Sequence, residues 1–206
     1  MLKVDNFEVF NWEGAIRGAR NPMNSWAKSD SKYVNGKYVI GEADLDLLKR
    51  LVRAGSDERK FMRQILVSMD IIAPLYFFKE FDTYKVGTVA NSTSTMHRIH
   101  SKEFEVSDFS VERMSGEAGK QLVESIIGYL EYNRKMFNET KNKQYWENMI
   151  QILPSSYNQK RTITLNYEVL RNMYHARRDH KLYEWKILCL VIENMPYSEL
   201  ITMEGR

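Results

Sequence analysis

The sequence predicts an α+β fold in which helices dominate. Apolar residues recur at helical spacing over long segments, of which 42–54 and 117–138 are the clearest. Two shorter segments, 65–71 and 161–165, alternate apolar with polar or hydroxyl side chains, the period-two pattern of strands. No internal repeat or linker rich in Pro and Gly divides the chain, so residues 1–206 are expected to form a single domain. The few strands are separated by helices, which is typical of the α+β class.

The first half of the chain predicts a loop, a helix, a strand and a second helix. The polar stretch 25–41 is expected to be a long loop, and loops of that length are often functional or mobile. The helix over 42–54 is followed by Gly55, a residue favoured just after a helix ends. After the strand at 65–71, Pro74 marks the start of an aromatic helical segment, because its missing N–H costs nothing in a first turn.

The second half predicts a hydroxyl-rich loop and then mostly helix. Residues 86–95 carry small and hydroxyl side chains without a periodic apolar face, so they are expected to form a loop. Asn166 follows the strand at 161–165 and is a favoured helix N-cap. The remaining helices are expected at 117–138, 146–153, 167–177 and 182–194.

Composition excludes several classes of protein. A single cysteine, Cys189, cannot form an intramolecular disulfide, and its apolar helix stripe makes it a core residue. The longest uncharged apolar run, 71–78, is far shorter than the roughly 20 residues of a spanning helix. The first ten residues lack the apolar core of a signal peptide. A cytoplasmic globular protein is therefore expected, with no membrane association.

Basic residues are nearly balanced by acidic ones, 30 to 27, so the net charge of +3 does not demand a nucleic acid. Short basic clusters are usually solvated helix faces, and the alternative is a small anionic ligand such as phosphate. Nucleic acid is disfavoured because aromatic residues are not interleaved with the basic ones. The three clusters are Lys49, Arg50 and Arg53; Arg59, Lys60 and Arg63; and Arg177, Arg178 and Lys181.

Generic catalytic motifs are absent from the sequence. It contains no Gly-rich phosphate loop of the common types and no nucleophile elbow. His97 and His100 are three residues apart and could share a metal, but no third ligand is near, so surface histidines are the favoured interpretation. No metal site is expected.

Two stretches carry most of the functional signal. In the first, a strand leads through Ala73-Pro74 into a helix and then the hydroxyl-rich loop, which could present N–H and hydroxyl groups to a phosphate. The alternative is a loop whose hydroxyls bond only to nearby backbone. The second stretch runs from Leu153-Pro154 through Asn166 and Asn172 to Arg177. On one helix Asn172 and Arg177 point about 140° apart, so they could serve two ligands or two subunits.

The order of these motifs resembles that of the flavin-dependent thymidylate synthase (ThyX) family. The motifs are the Ala-Pro junction, the hydroxyl-rich loop and the series Leu-Pro, Thr-x-Asn, Asn and Arg. The resemblance extends from about residue 16 to 192. It implies a ThyX-like fold with a mixed or antiparallel sheet packed with helices. It also implies a homotetramer whose active sites are shared between subunits and hold FAD and dUMP. Folate as methylenetetrahydrofolate and NADPH are the other implied reactants.

The same resemblance assigns roles to individual residues. Asn166 and Asn172 match flavin-contacting positions, and Arg177 matches the arginine that reads and polarises the uracil ring. The substrate side, with the phosphate, is assigned to Glu80, Lys85, Thr88 and Ser94, together with Arg177. Arg177, Lys85 and Thr88 are the catalytic candidates. Arg17 and Arg20 lie in a segment that resembles an early arginine region of the family.

The chain departs from the family's signature loop. Where that loop reads Arg-His-Arg, this chain has Thr83-Tyr84-Lys85, and the loop's final arginine has no counterpart. A second substrate arginine is replaced by Ile150. Lysine does not reproduce the bidentate phosphate contacts of arginine. Two functions therefore follow: a thymidylate synthase-like enzyme that methylates dUMP or a related nucleotide at C5, and a non-catalytic nucleotide-binding protein of the same fold. A nucleic-acid-binding protein is a third and weaker alternative.

Overall fold

The structure, a computed structural model, describes residues 1–205 and confirms the α+β class. The strands are β1 (Lys3–Phe10), β2 (Lys32–Val34), β3 (Lys37–Val39), β4 (Leu66–Pro74), β5 (Val89–Ser92) and β6 (Asn158–Asn166). The helices are α1 (Trp12–Arg20), α2 (Glu42–Ala54), α3 (Leu75–Phe81), α4 (Thr95–Arg98), α5 (Glu117–Thr140), α6 (Lys143–Ile152), α7 (Tyr167–Arg177), α8 (Tyr183–Glu193) and α9 (Glu199–Thr202). Short 3₁₀ turns lie at Asn21–Met23, Trp26–Lys28, Glu58–Gln64 and Val106–Asp108.

Four strands form one sheet in the order β1-β4-β6-β5, and β2 and β3 form a separate antiparallel hairpin. The hairpin turns at Asn35 and Gly36, which both have positive φ, as a two-residue hairpin turn requires. The expectation of an irregular loop over 25–41 was therefore wrong for residues 32–39. Strands of three residues are too short to show a period, so the Asn-Gly pair was the usable signal.

The chain divides into two compact units, and each is described separately. Unit 1 comprises Met1–Lys3, Ile71–Thr83 and Asn91–Thr162. Its core is a cluster of buried apolar side chains against which α5 and α6 pack. A second aromatic group comes from α3, where Phe77, Phe78 and Phe81 are buried and pack edge to face or tilted. The cluster residues are Ile99, Phe104, Phe109, Leu130 and Met149.

Unit 2 comprises Val4–Asp70, Tyr84–Ala90 and Ile163–Arg206, of which residues up to 205 are described. In it α1 and α7 pack beside the Glu58–Gln64 turn, and α7 also contacts α8 and α9. Trp12 of α1 meets the ring of Tyr167 edge to face at 5.2 Å between centroids. Burying these faces fixes α7, which carries the predicted site residues Asn172 and Arg177.

A buried ion pair anchors the segment 25–41 to the helices of unit 2. The Arg20 Nε donates to Asp44 Oδ1 at 2.5 Å, and both side chains are at most 5% exposed. Asp44 Oδ2 accepts from the hydroxyls of Ser29 and Ser31, and the Arg20 guanidinium also donates to the carbonyls of Ser25 and Lys28. The beginning of the segment, residues 25–31, is thus bonded to Arg20 and Asp44, and Asp44 neutralises the positive charge of Arg20.

Most element predictions are confirmed, and the misses have a physical cause. Helix α2 has the predicted bounds, α7 runs from the residue after Asn166 to Arg177, and Cys189 is buried. Sequence patterns fail at several places: β1, α1 and α9 were not predicted, β4 continues to Pro74, and the expected loop over 86–95 contains strand β5. Strand β5 is exposed throughout and α9 has only four residues, so tertiary contacts rather than periodicity decide these two elements. Helix α1 is amphipathic, so its apolar spacing was a usable signal. The single-domain organisation stays a prediction.

The two histidines of unit 1 are not equivalent. His97 is exposed, whereas the His100 ring packs on Phe137 with 4.9 Å between centroids and its Nδ1 is buried without a partner. The prediction of a surface histidine is therefore wrong for His100. Within residues 1–205 no group of three His, Cys, Asp or Glu side chains could hold a metal ion. Nor does any helix in that range have the length and apolarity to span a membrane.

Candidate functional site

The candidate site in unit 2 is built from the loop Tyr84–Ala90 and from helix α7 with its flanking residues. Five of the predicted site residues lie on these two segments: Lys85, Thr88, Asn166, Asn172 and Arg177. The loop contacts both ends of α7. Tyr84 lies against Arg177 at the C-terminal end, and Gly87 lies against Asn166 at the N-terminal end.

Arg177 is held by two aromatic side chains. Its Nε donates to the Tyr84 hydroxyl at 3.0 Å. Its guanidinium carbon lies 5.0 Å from the ring centroid of the fully buried Trp185 and 5.7 Å from that of Tyr84. A cation over an aromatic face is attracted by the ring's negative quadrupole. The arginine head is therefore half-buried and oriented, as recognition of a planar ring carbonyl requires.

The turn at Gly87 and Thr88 closes onto the start of α7. Gly87 has a φ of +79°, a backbone conformation that residues other than glycine rarely adopt. A methyl group at this position would lie 3.0 Å from Asn166 Nδ2 and 3.2 Å from Val169 Cγ2. The following hydroxyl, Thr88 Oγ1, is buried and has no hydrogen-bond partner. An unsatisfied buried hydroxyl costs free energy, and a ligand oxygen would satisfy it.

Asn166 has a structural role in addition to the flavin contact predicted for it. Its side-chain Oδ1 accepts from the backbone N–H of Val169 at 3.0 Å, so Asn166 is the N-cap of α7. The alternative drawn from the sequence, an ordinary helix cap, is thus observed. The Nδ2 group lies on the side of Gly87 and is the part of the side chain that a ligand could use.

Asn172 borders a separate cavity of about 410 Å³ on another face of α7. Its side chain is exposed there, and the predicted divergence of Asn172 from Arg177 corresponds to two different sets of neighbours. The cavity is lined by Arg59, Arg171, Asn172, His175, Ala176, Glu204 and Gly205. Amide, imidazole and guanidinium groups line it together with the carboxylate of Glu204, so both donors and an acceptor face a ligand there.

Burial and neighbouring charges shift the pKa values of His175 and Arg171, which line this cavity. Burial lowers the pKa of His175 below its ordinary value of 6.5, and the positive charge of Arg171 lowers it further. Burial and the nearby Arg59 likewise lower the pKa of Arg171, while Glu168 opposes that effect. Arg59 pairs with Glu168, Nε to Oε2, at 3.1 Å. At neutral pH the positive charge of the cavity therefore comes from its arginines.

The remaining predicted residues are distributed differently. Lys85 is exposed, and Arg17 is exposed beside the hairpin in a cavity with Tyr33 and Tyr38. Arg20, the other arginine of the segment that resembles an early region of the family, is committed to Asp44. Glu80 and Ser94 belong to unit 1.

In unit 1, the hydroxyl-rich loop matches the local-bonding alternative at one position. Ser94 Oγ accepts from the backbone N–H of His97 and thereby caps α4. Thr93 instead bonds to β6, since its Oγ1 accepts from the N–H of Lys160 at 3.3 Å. The substrate roles of Glu80 and Ser94 stay predictions.

Several residues of the site were not predicted as functional. Tyr84 was noted only as a departure from a motif, and Trp185 only as a core residue. Arg171 and His175 lie four residues apart, so they share one helix face, a signal that was available. Arg59 belongs to a basic cluster for which a small anionic ligand was one of the two interpretations.

Neither a protein-family model nor a curated protein matches the sequence. Among solved structures, flavin-dependent thymidylate synthase ThyX from Helicobacter pylori, complexed with FAD and dUMP, aligns with a TM-score of 0.72 at 17% identity. The alignment covers 97% of this chain and 98% of that one. A second structure of the H. pylori enzyme with FAD and dUMP has a TM-score of 0.71 at 16% identity and covers 98% of both chains.

The UMP/dUMP methylase PolB from Streptomyces cacaoi, bound with 5-Br dUMP, is also similar. Its TM-score is 0.59 at 14% identity, over 94% of this chain and 88% of that one. Similarity at these identities establishes the fold. The chain has the ThyX fold, as the resemblance drawn from its motifs predicted.

Proposed function

We propose that the protein is a divergent flavin-dependent thymidylate synthase-like enzyme that methylates dUMP, or a related uracil deoxynucleotide, at C5. The observation that carries the proposal is the oriented guanidinium of Arg177, bonded to Tyr84 and stacked beside Trp185. It stands on a fold whose solved representatives were crystallised with dUMP or 5-Br dUMP. An arginine held in this way can donate charge-assisted bonds to a uracil carbonyl and draw electron density from the ring.

The loop residues are assigned to the substrate's phosphate end. The buried, unpartnered Thr88 hydroxyl would donate to a phosphate oxygen, and exposed Lys85 would add a positive charge. Glu80 and Ser94, which belong to unit 1, are proposed as substrate residues from the family resemblance alone. Binding in this arrangement lowers the entropic barrier, because the pyrimidine is held in one orientation before reaction.

FAD is the proposed cofactor, and the donors of the Asn172 cavity fit it. Asn172 would supply an amide, and the guanidinium nitrogens of Arg59 and Arg171 that are not bonded to Glu168 or to the carbonyls of Ile201 and Met203 would donate to phosphate oxygens. Asn166, whose Nδ2 faces Gly87 and not this cavity, is assigned to the flavin by the family resemblance. When bound, the reduced flavin supplies the hydride, methylenetetrahydrofolate supplies the carbon and NADPH restores the flavin. The chain's own residues bind and orient these planar reactants.

A second candidate function is nucleotide binding without methyl transfer, in a protein of the same fold. It is favoured by the sequence Thr83-Tyr84-Lys85, which supplies one flexible cation where the family's loop supplies arginines. Purified protein should be tested for a flavin spectrum, for dUMP binding by calorimetry, and for conversion of dUMP to dTMP with methylenetetrahydrofolate and NADPH. Turnover supports the enzyme. Binding of dUMP without turnover supports the second function, and absence of both flavin and dUMP binding contradicts both.

Replacing Asn172 by alanine is expected to weaken FAD binding by about 1 kcal/mol, or roughly fivefold. The physical reason is the loss of one neutral amide hydrogen bond, whose net contribution is modest because water competes for the same groups. FAD titration followed by fluorescence quenching measures it. Asn194→Ala, at the exposed end of α8, is the matched control and should leave the affinity unchanged. Equal affinity for FAD in the two variants would mean that Asn172 is an ordinary surface residue of α7 and does not contact the flavin.

The protein is further proposed to be a cytoplasmic, single-domain homotetramer whose sites are completed by neighbouring chains. Light scattering should give about four times the 24.4 kDa chain mass at micromolar concentration. Large exposed apolar side chains on α5, namely Leu122, Tyr129 and Tyr132, are consistent with further association. A monomer that binds FAD and dUMP normally would contradict the shared site but leave the chemistry in place.

A further inference from the structure

A cavity of about 340 Å³ in unit 2 is lined by residues of α1, of the turn that follows it and of the β2-β3 hairpin. Three of the lining side chains are aromatic: Trp26 from the turn, and Tyr33 and Tyr38 from the hairpin. None of its lining residues belongs to the cavity beside Asn172 or to the loop Tyr84–Ala90. A volume of this size with an aromatic lining is typical of small-molecule sites.

The aromatic side chains of this cavity are held in place although they are partly exposed. Tyr33 and Tyr38 are directly opposite each other in the hairpin, and their rings meet edge to face with 5.1 Å between centroids. Tyr33 is 62% exposed, and its hydroxyl donates to Glu13 Oε2 at 3.1 Å. Trp26 is 50% exposed, and its Nε1 donates to Asn21 Oδ1 at 2.8 Å. A planar ligand can stack on ring faces fixed in this way at little cost in ordering the protein.

The bonds within unit 2 leave two cations and one acceptor of this cavity for a ligand. The Arg20 guanidinium and the lining serine hydroxyls already bond to Asp44. The side chains of Arg17 and Lys32 are exposed and form no hydrogen bond or ion pair with the rest of residues 1–205. Glu13 has one carboxylate oxygen bonded to the hairpin, and the other can accept from a ligand. The available groups therefore favour a ligand that carries negative charge.

We propose that this cavity, which we call the hairpin site, binds a mononucleotide. A mononucleotide combines a planar ring for the aromatic side chains, ring N–H donors for Glu13, and a phosphate for Arg17 and Lys32. The hairpin site uses neither Arg177 nor Asn172. It is therefore a second ligand site, and the inference does not depend on the proposed function.

The test compares three ligands of the full-length protein: AMP, adenosine and ribose 5-phosphate. Adenosine lacks the negative charge, and ribose 5-phosphate lacks the ring. Each is expected to bind at least about fivefold more weakly than AMP in calorimetric titrations. The hairpin site is overturned if AMP does not bind at millimolar concentration, or if ribose 5-phosphate binds as tightly as AMP.

Two variants of exposed residues separate the contributions of the ring and the charge. Tyr33→Leu keeps an apolar side chain but removes the ring, and it is expected to weaken AMP binding roughly fivefold or more. Arg17→Gln is expected to weaken AMP binding up to about fivefold and to leave adenosine binding unchanged. The matched controls are Tyr132→Leu, in an exposed edge-to-face pair with Tyr145, and Arg50→Gln. Equal AMP affinity in these variants and their controls would overturn the site.

Two measurements place AMP in the molecule. Stacking on Trp26 should quench tryptophan fluorescence, and Trp26→Phe should abolish that response. Arg177→Ala and Asn172→Ala should bind AMP as the parent protein does. If instead either of these two variants loses AMP affinity while Arg17→Gln keeps it, AMP occupies the candidate site on α7 and the hairpin site is overturned. Failure to bind dUMP or FAD, with the AMP response to Arg17→Gln intact, contradicts the proposed function and supports the hairpin site.

Discussion

Replacing Asp44 by asparagine is expected to lower the free energy of unfolding by about 3–5 kcal/mol, since it leaves the guanidinium of Arg20 buried beside a neutral amide. Asp44 is fully buried, pairs with Arg20 and accepts from Ser29, Ser31 and the N–H of Asp30. The amide keeps the shape of the carboxylate but loses its charge and part of its accepting capacity. Urea denaturation monitored by circular dichroism measures the loss.

Asp46→Asn is the matched control, because Asp46 pairs with Arg50 on the same helix with both side chains exposed. Its stability should change by less than about 0.5 kcal/mol. A similar small change in Asp44→Asn would contradict the anchoring of residues 25–41 by this ion pair. A loss of about 3–5 kcal/mol in the free energy of unfolding, together with faster proteolysis within residues 25–41, would support that anchoring.

The loss of folding stability at acidic pH should depend on the carboxyl group of Asp44. Burial acts to raise the pKa of Asp44, but hydrogen bonds from Ser29, Ser31 and Arg20 outweigh it and hold the pKa below its ordinary value of 3.8. A depressed pKa stabilises the folded state at pH values above the unfolded pKa, and that stabilisation disappears as the pH falls through the folded value. The difference in stability between the parent protein and Asp44→Asn should therefore be largest near neutral pH and shrink below about pH 3.8.

Replacing Arg177 by alanine is expected to weaken dUMP binding by about 1.5–3 kcal/mol, or roughly 10- to 150-fold. The expected cause is loss of a charge-assisted bond to a uracil carbonyl. The variant also loses the contacts with Tyr84 and Trp185, so a fall of roughly 1 kcal/mol in folding stability is expected alongside. Calorimetric titration measures the first effect and thermal unfolding the second.

Two further variants separate recognition from packing. Arg177→Lys keeps the charge but loses the planar fork, so it should recover stability more fully than dUMP affinity. Arg50→Ala, at an exposed site on α2, should leave dUMP affinity unchanged. Undiminished dUMP binding by a folded Arg177→Ala protein would assign Arg177 a structural role, in contact with Tyr84 and Trp185.

Lys85→Ala is expected to weaken dUMP binding in the same direction, and salt should reveal its partner. The exposed ammonium of Lys85 would meet the substrate phosphate through screened charge attraction. The parent protein should therefore lose more dUMP affinity than Lys85→Ala as ionic strength rises. Parallel salt dependences in the two proteins would place the phosphate away from Lys85.

The sequence by itself determined the elements that depend on local periodicity and capping. Helix α2 could be bounded at both ends, because its apolar stripe and the following Gly55 are local features. Helix α7 could be started at Asn166 for the same reason, since the cap bonds to a residue three positions away. The motif order along the chain was also sufficient to predict the fold, which the comparison with solved structures bears out.

The tertiary structure alone decided what the polar side chains contact. Arg59 and Glu168 are 109 residues apart in sequence, and Tyr84 and Arg177 are 93 apart. The buried pair of Arg20 and Asp44 joins residues 24 apart. Local patterns report which face of a helix is buried, because burial acts on each residue's own hydrophobicity. The partner of a charge depends on chain segments that only folding brings together, and no local pattern records that distance.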